Sequence, residues 1–126
     1  MKLYFAIIIV ALTSALGFGQ EADFSIDKSV HKFPETIEGK LLEHDYIITN
    51  TGDIPLIISD YKVDCPCTKV ELPEKPILPG ESYSMKLSFD TKGKYYFQSR
   101  IVYLKANTSK GTHKLRFKVN VIPHNE

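Results

Sequence analysis

Tryptophan is absent from the sequence, and only two cysteines occur, Cys65 and Cys67, with a single proline between them. Cysteines two positions apart cannot link two sheets, so any bridge between them is a poor staple for a fold. Nothing after Gln20 sustains a 3.6-residue apolar period, which leaves no amphipathic helix to cover a sheet. Net charge is lacking too: 16 Lys and Arg stand against 15 Asp and Glu, and this gives no bulk electrostatic case for nucleic acid. Catalytic signatures are equally scarce. There is no G-x-S-x-G, H-E-x-x-H or glycine-rich phosphate loop, and no close carboxylate pair in apolar surroundings that would split its pKa values.

What is present begins with MKLYFAIIIVALTSALGFGQ: one lysine, an apolar run over residues 3–12, then Ser14, Ala15, Gly17 and Gly19. That is the order of a secretory signal peptide over residues 1–19, with cleavage expected before Gln20. The apolar run falls short of the ~20 residues that a membrane span needs. No cysteine follows it to carry a lipid anchor. The expectation is a secreted or periplasmic protein in an oxidising compartment, with no membrane span after cleavage. Residues 20–126 then form one domain of ordinary size, with 15 basic and 15 acidic side chains.

Period-two alternation recurs through this domain. Tyr83, Met85, Leu87 and Phe89 fall on one face of YSMKLSF, and Leu115, Phe117, Val119 and Val121 on one face of KLRFKVNV. Both segments read as half-buried strands. HDYIITN and PLIISDYKV add two more, with Tyr46, Ile48, Leu56 and Ile58 as inward candidates. YYFQSRIVYLKAN is apolar on both faces, as expected of an interior strand covered on both sides. A short strand near Phe24 to Ile26, extending toward Val30 to Phe33, opens the domain. Asn50-Thr51-Gly52-Asp53 reads as a tight turn with Gly at a cheap positive φ, and Pro79-Gly80 fits the centre of a type II turn. Lys92-Gly93 and residues 108–111 supply the others. These features predict an all-β, immunoglobulin-like sandwich of about seven to eight short antiparallel strands.

The cysteine pair admits several readings. In an extended chain the Cα atoms of Cys65 and Cys67 lie about 6.6 Å apart, near the upper limit for a disulfide, so a bond requires a local bend. A three-residue loop yields only roughly 1.6 kcal/mol of stabilisation by chain entropy. Pro66 keeps the segment out of a central ladder and places it at a strand end or in a loop. Two thiolates also suit Cu(I) or Zn²⁺, but His31, His44, His113 and His124 show no ligand spacing to them. Thioredoxin-like chemistry wants C-x-x-C at a helix start, which is missing. Disulfide, metal pair and packed thiols all remain open at this level, and no cofactor is implied. Asn107-Thr108-Ser109 matches a glycosylation sequon, a pattern of low specificity.

Charge is distributed unevenly. Residues 20–85 carry 13 acidic and 6 basic side chains, whereas residues 86–125 carry Asp90 against nine Lys and Arg. Lys114, Arg116 and Lys118 alternate on one face of the last strand. One reading is protection of sheet edges; the other is a basic face for an anionic partner, a polysaccharide or an acidic protein.

TNTGDIPLIISDYKVDCPCT followed by PILPGESYSMKLSFDTKGK resembles the bacterial domain-of-unknown-function 1573 family. Its signature is met at Asn50, Thr51, Gly52, Pro55, Leu56, Cys65, Cys67, Thr68, Pro79, Gly80, Phe89, Asp90 and Thr91. Pro66 stands where the family usually has Gly. A positive φ at that position is closed to proline, whereas a bend at negative φ would be preorganised by it. The resemblance implies a non-enzymatic immunoglobulin-like domain of the cell envelope and no established activity. The leading expectation is therefore a non-catalytic binding or assembly domain for a protein or glycan of the envelope. The rival is a thiol role, in disulfide exchange or Cu/Zn binding, through Cys65 and Cys67.

Overall fold

A computed structural model describes residues 20–124; the proposed signal peptide, residues 1–19, lies outside the described residues. Among the described residues nine strands form two sheets: β1 (Phe24–Ile26), β2 (Val30–Lys32), β3 (Thr36–Ile37), β4 (Leu41–Asn50), β5 (Ile58–Val63), β6 (Thr68–Val70), β7 (Ser82–Asp90), β8 (Tyr96–Ala106) and β9 (Thr112–Ile122). The first sheet has the order β1-β4-β7-β6 and the second β2-β9-β8-β5, with β3 also on β9. The sandwich architecture is the one the alternation predicts. Tyr46, Ile48, Met85, Leu87, Phe89, Leu115, Phe117, Val119 and Val121 all face inward and are buried. Their burial is the main stabilising term, because each strand presents one apolar face to the opposite sheet.

Two details depart from the expectation. The opening segment is two strands in different sheets: β1 pairs antiparallel with β4, while β2 and β3 run parallel to β9. Asp27 makes the crossing, its amide donating to the Ile47 carbonyl at 3.1 Å and its carboxylate accepting from the Ile47 amide at 3.0 Å. Pro34, which has no N–H to give the ladder, separates β2 from β3. The second departure concerns β8. It is interior in its sheet, between β9 and β5, yet only its inner side is covered: Val102 and Leu104 are buried, Ile101 is half-buried and Tyr103 exposed. Being flanked by neighbours within a sheet does not bury both faces; here nothing among the described residues packs over the outer one.

The turn at Pro79-Gly80 closes as expected, with Gly80 at φ 81° and the Glu81 amide donating to the Leu78 carbonyl at 2.9 Å. Gly52 is a correction. Its φ is not positive; its service is space, since a Cβ there would overlap the Glu21 carbonyl oxygen and stand 2.6 Å from the Asp23 nitrogen. The segment leading into β1 lies directly against it.

Candidate functional site

The residues of the signature gather at joints of the fold. Asn50 ends β4 and is 1% exposed. Its Nδ2 donates to the carbonyls of Ile54 at 2.9 Å and Ile77 at 2.8 Å, and its Oδ1 accepts from the Gly52 amide at 2.8 Å. Its backbone joins the same place to the Pro79-Gly80 turn, donating to Glu81 and accepting from Gly80, each at 2.9 Å. One buried amide thus ties together β4, the turn after it and the proline-rich arm before β7. Pro55 offers its carbonyl to Asn107 Nδ2 at 3.0 Å, and Thr91, fully buried, donates its hydroxyl to the Lys40 carbonyl at 2.6 Å. The sequon asparagine is therefore engaged as a backbone latch.

Cys65 and Cys67 form a disulfide with Cα atoms 5.2 Å apart. The bend that shortens the extended spacing is a β-turn: the Thr68 amide donates to the Cys65 carbonyl at 3.2 Å, with Pro66 and Cys67 at its centre. Neither central residue has positive φ. Proline in place of glycine therefore fits, because its fixed φ suits the first central position. The turn carries the chain from β5 in the second sheet to β6 in the first. Around it, the Asp90 amide donates to the Cys67 carbonyl at 2.9 Å, and Arg100 lies 3.4 Å from Asp64. Since these bonds hold the turn without the sulfurs, the Cys65→Ser/Cys67→Ser variant is expected to lose at most about 1.6 kcal/mol. Denaturant unfolding measures it, and thiol titration is expected to find reactive sulfur only after reduction.

Lys114, Arg116 and Lys118 lie on the outer face of the second sheet, between the buried Leu115, Phe117 and Val119. Register brings further cations beside them. Lys32 pairs with Lys118, Tyr103 lies between Lys114 and Lys62, and Lys105 lies opposite Asp60. Arg116 Nη1 donates to Ser99 Oγ at 2.6 Å, and Lys114 Nζ sits 5.9 Å over the Tyr103 ring. Two hollows flank the Lys114–Tyr103 pair: one is lined by Lys114 with Val30, Ile101 and Arg116, the other by Tyr103 with Lys62, Lys105 and Asp60. Beneath, the Tyr46 hydroxyl crosses the core to donate to the Arg116 carbonyl at 3.0 Å. Among the described residues, no group of three or more His, Cys, Asp or Glu is placed to hold a metal ion.

The family of proteins of unknown function DUF1573 matches residues 24–121, from the start of β1 almost to the end of β9. The chain belongs to this family. No curated protein matches the DUF1573 chain. Among solved structures, it superposes on a protein of unknown function from Porphyromonas gingivalis W83 with TM-score 0.71 at 15% identity, covering 85% of this chain and 50% of that one. The DUF1573 chain therefore spans half of that protein's length. It also resembles the ASH/PapD-like domain 7 of human CEP192, with TM-score 0.60 and 12% identity over 88% of this chain and 92% of that one. The YadV chaperone follows, with TM-score 0.53 and 15% identity over 82% and 53% of the respective chains. At these identities the likeness is one of fold.

The DUF1573 fold also assembles groups that no sequence motif announces. His31 on β2 stacks on His44 on β4 with ring centroids 3.5 Å apart, bridging the two sheets, and Phe33 meets both rings edge-on. Burial first, then the neighbouring His44 and Lys28, hold the His31 pKa below its ordinary value, against an opposing pull from Asp27. His113, packed on Phe24 and bonded to Thr108, is lowered likewise by burial and by Lys110, with Asp23 opposing. A histidine lowered on folding takes up its proton more readily in the unfolded chain. Its stabilisation is thus complete above about pH 6.5 and is lost as pH falls from there toward the lowered native value. Melting temperature is expected to drop across that window, and His31→Phe, which keeps an aromatic ring there but cannot titrate, is expected to flatten the drop. At the far end of the outer face, Tyr95, Tyr96 and Phe97 are all exposed, with Tyr96 at φ 65°. In sequence the triplet belongs to a segment that reads as an interior strand covered on both sides, which does not single it out as exposed.

Proposed function

We propose that this DUF1573 chain is a non-catalytic binding domain, exported to the bacterial cell envelope, where the outer face of its second sheet holds a protein or glycan partner. The observation that carries the reading is a division of labour. Asn50, Gly52, Thr68, Pro79-Gly80 and the disulfide are committed to joints of the fold, whereas Lys114, Arg116 and Lys118 point away from the core with no acidic partner of their own in any ion pair among the described residues. Cationic side chains on a solvent face, unneutralised, raise the local concentration of anionic partners. The PapD-like domain and the chaperone among the structural neighbours are consistent with a binding role.

The test is capture from an envelope extract by immobilised wild-type protein and by Lys114→Glu/Arg116→Glu/Lys118→Glu. All three side chains face outward, so the variant is expected to melt with wild type and to lose the captured partner. Equal capture by the two proteins, or turnover of a small substrate by the purified protein, contradicts the reading.

A further inference from the structure

We infer that the trough across β9, β8 and β5 is a subsite for an acidic polysaccharide, a sugar polymer bearing carboxylates. The inference rests on the binding-domain reading above and names the ligand class for the same face. The trough spans two hollows, one lined by Lys114, Arg116 and Ile101 and the other by Lys62, Lys105 and Tyr103, linked where Lys114 reaches over the Tyr103 ring. Asp60, beside Lys105, is the one carboxylate in the lining. Cations on β9 recur at every second residue, roughly 7 Å apart along the strand. A polymer bearing many carboxylates meets several of these cations at once.

Three features favour a sugar over an acidic peptide or a second copy. The trough runs over the face of the sheet, and β8 along its middle is hydrogen-bonded on both sides; the free edge of β5 lies to one side of the Lys114–Tyr103 pair, so an extended peptide lying on that pair has no backbone to join. Recognition there is by side chains alone. The floor combines an aromatic ring with an aliphatic side chain, and Lys114 holds its ammonium 5.9 Å above that ring. This places an apolar surface for the C–H face of a pyranose next to a donor for its carboxylate, a charge-assisted contact. A second copy meeting this face symmetrically would set cations against cations.

Affinity electrophoresis of the purified protein through gels containing polygalacturonate, dextran or polyglutamate tests the inference. Polygalacturonate is expected to retard the protein, less so as salt rises, while dextran has no effect and polyglutamate binds about tenfold more weakly. Lys114→Ala/Arg116→Ala and, separately, Tyr103→Ala are each expected to weaken polygalacturonate binding about tenfold. Lys69→Ala, exposed on β6 in the other sheet, is the control and is expected to match wild type. No retardation by polygalacturonate, equal binding of polyglutamate, or indifference to Tyr103→Ala overturns the sugar assignment. The two proposals fail separately: if envelope capture still depends on the charged face while polygalacturonate does not bind, only the ligand class is wrong, whereas capture that survives the triple charge reversal removes the face itself.

Discussion

Asn50→Ala is expected to destabilise the domain by on the order of 3–4 kcal/mol, lowering the melting temperature by roughly 15–25 °C. The substitution takes a partner from three buried or part-buried backbone groups at once: the Gly52 amide, the Ile54 carbonyl and the Ile77 carbonyl, which keeps only the Leu56 amide. Each loses a partner where water has little access, and an unmade buried hydrogen bond costs more than a made one contributes. A stability of about 5–15 kcal/mol is normal for a domain of this size, so the loss is a large share of the whole. Asn107→Ala is the matched control. Its amide also makes paired bonds, to the Pro55 carbonyl and the Ile57 amide at 3.0 and 2.8 Å, but it is exposed, so water replaces them and the expected cost is about 1 kcal/mol. Urea unfolding of the two variants side by side distinguishes a buried joint from a surface latch; equal losses would refute the role given to Asn50.

Phe117→Ala carries the other large effect, about 4 kcal/mol. Phe117 is fully buried on β9, and its ring centroid lies 5.0 Å from that of Phe89 on β7 and 5.9 Å from that of Phe33. Phe89 and Phe117 belong to opposite sheets, so truncation opens a cavity where the two layers meet and removes aromatic pairing in addition to apolar burial. Phe117→Leu fills most of that volume and is expected to cost no more than about 1.5 kcal/mol. A Leu variant as unstable as the Ala variant would mean that ring geometry, not volume, holds the layers together.

The alternation of Leu115 through Val121 against Lys114 through Asn120 was legible because one pleated strand carries both the core and the surface in adjacent residues. Pro79-Gly80 was legible for a similar reason, since a type II turn is dictated by two neighbouring residues, one with a fixed φ and one without a side chain. Pairs formed by topology were not. His31 and His44 are ordinary residues in sequence and become stacked rings only because β2 and β4 belong to facing sheets. Lys62, Lys105 and Tyr103 likewise join Lys114 through strand register, which no single segment contains. Gly52 illustrates a different limit: its type was recognised, but the reason is the backbone of residues 21–23 pressed against it, a tertiary fact. Arg100 occupies an inward position on β8, where its Nε is buried without a partner among the described residues, and alternation alone would have placed an apolar side chain there.

The most direct test is the envelope capture of Cys65→Ser/Cys67→Ser measured relative to wild type at a temperature where both remain folded. If the sulfur pair only shapes the crossing from β5 to β6, capture stays at the wild-type level. Loss of the partner by this folded, sulfur-free protein would contradict the account and return the activity to the cysteines.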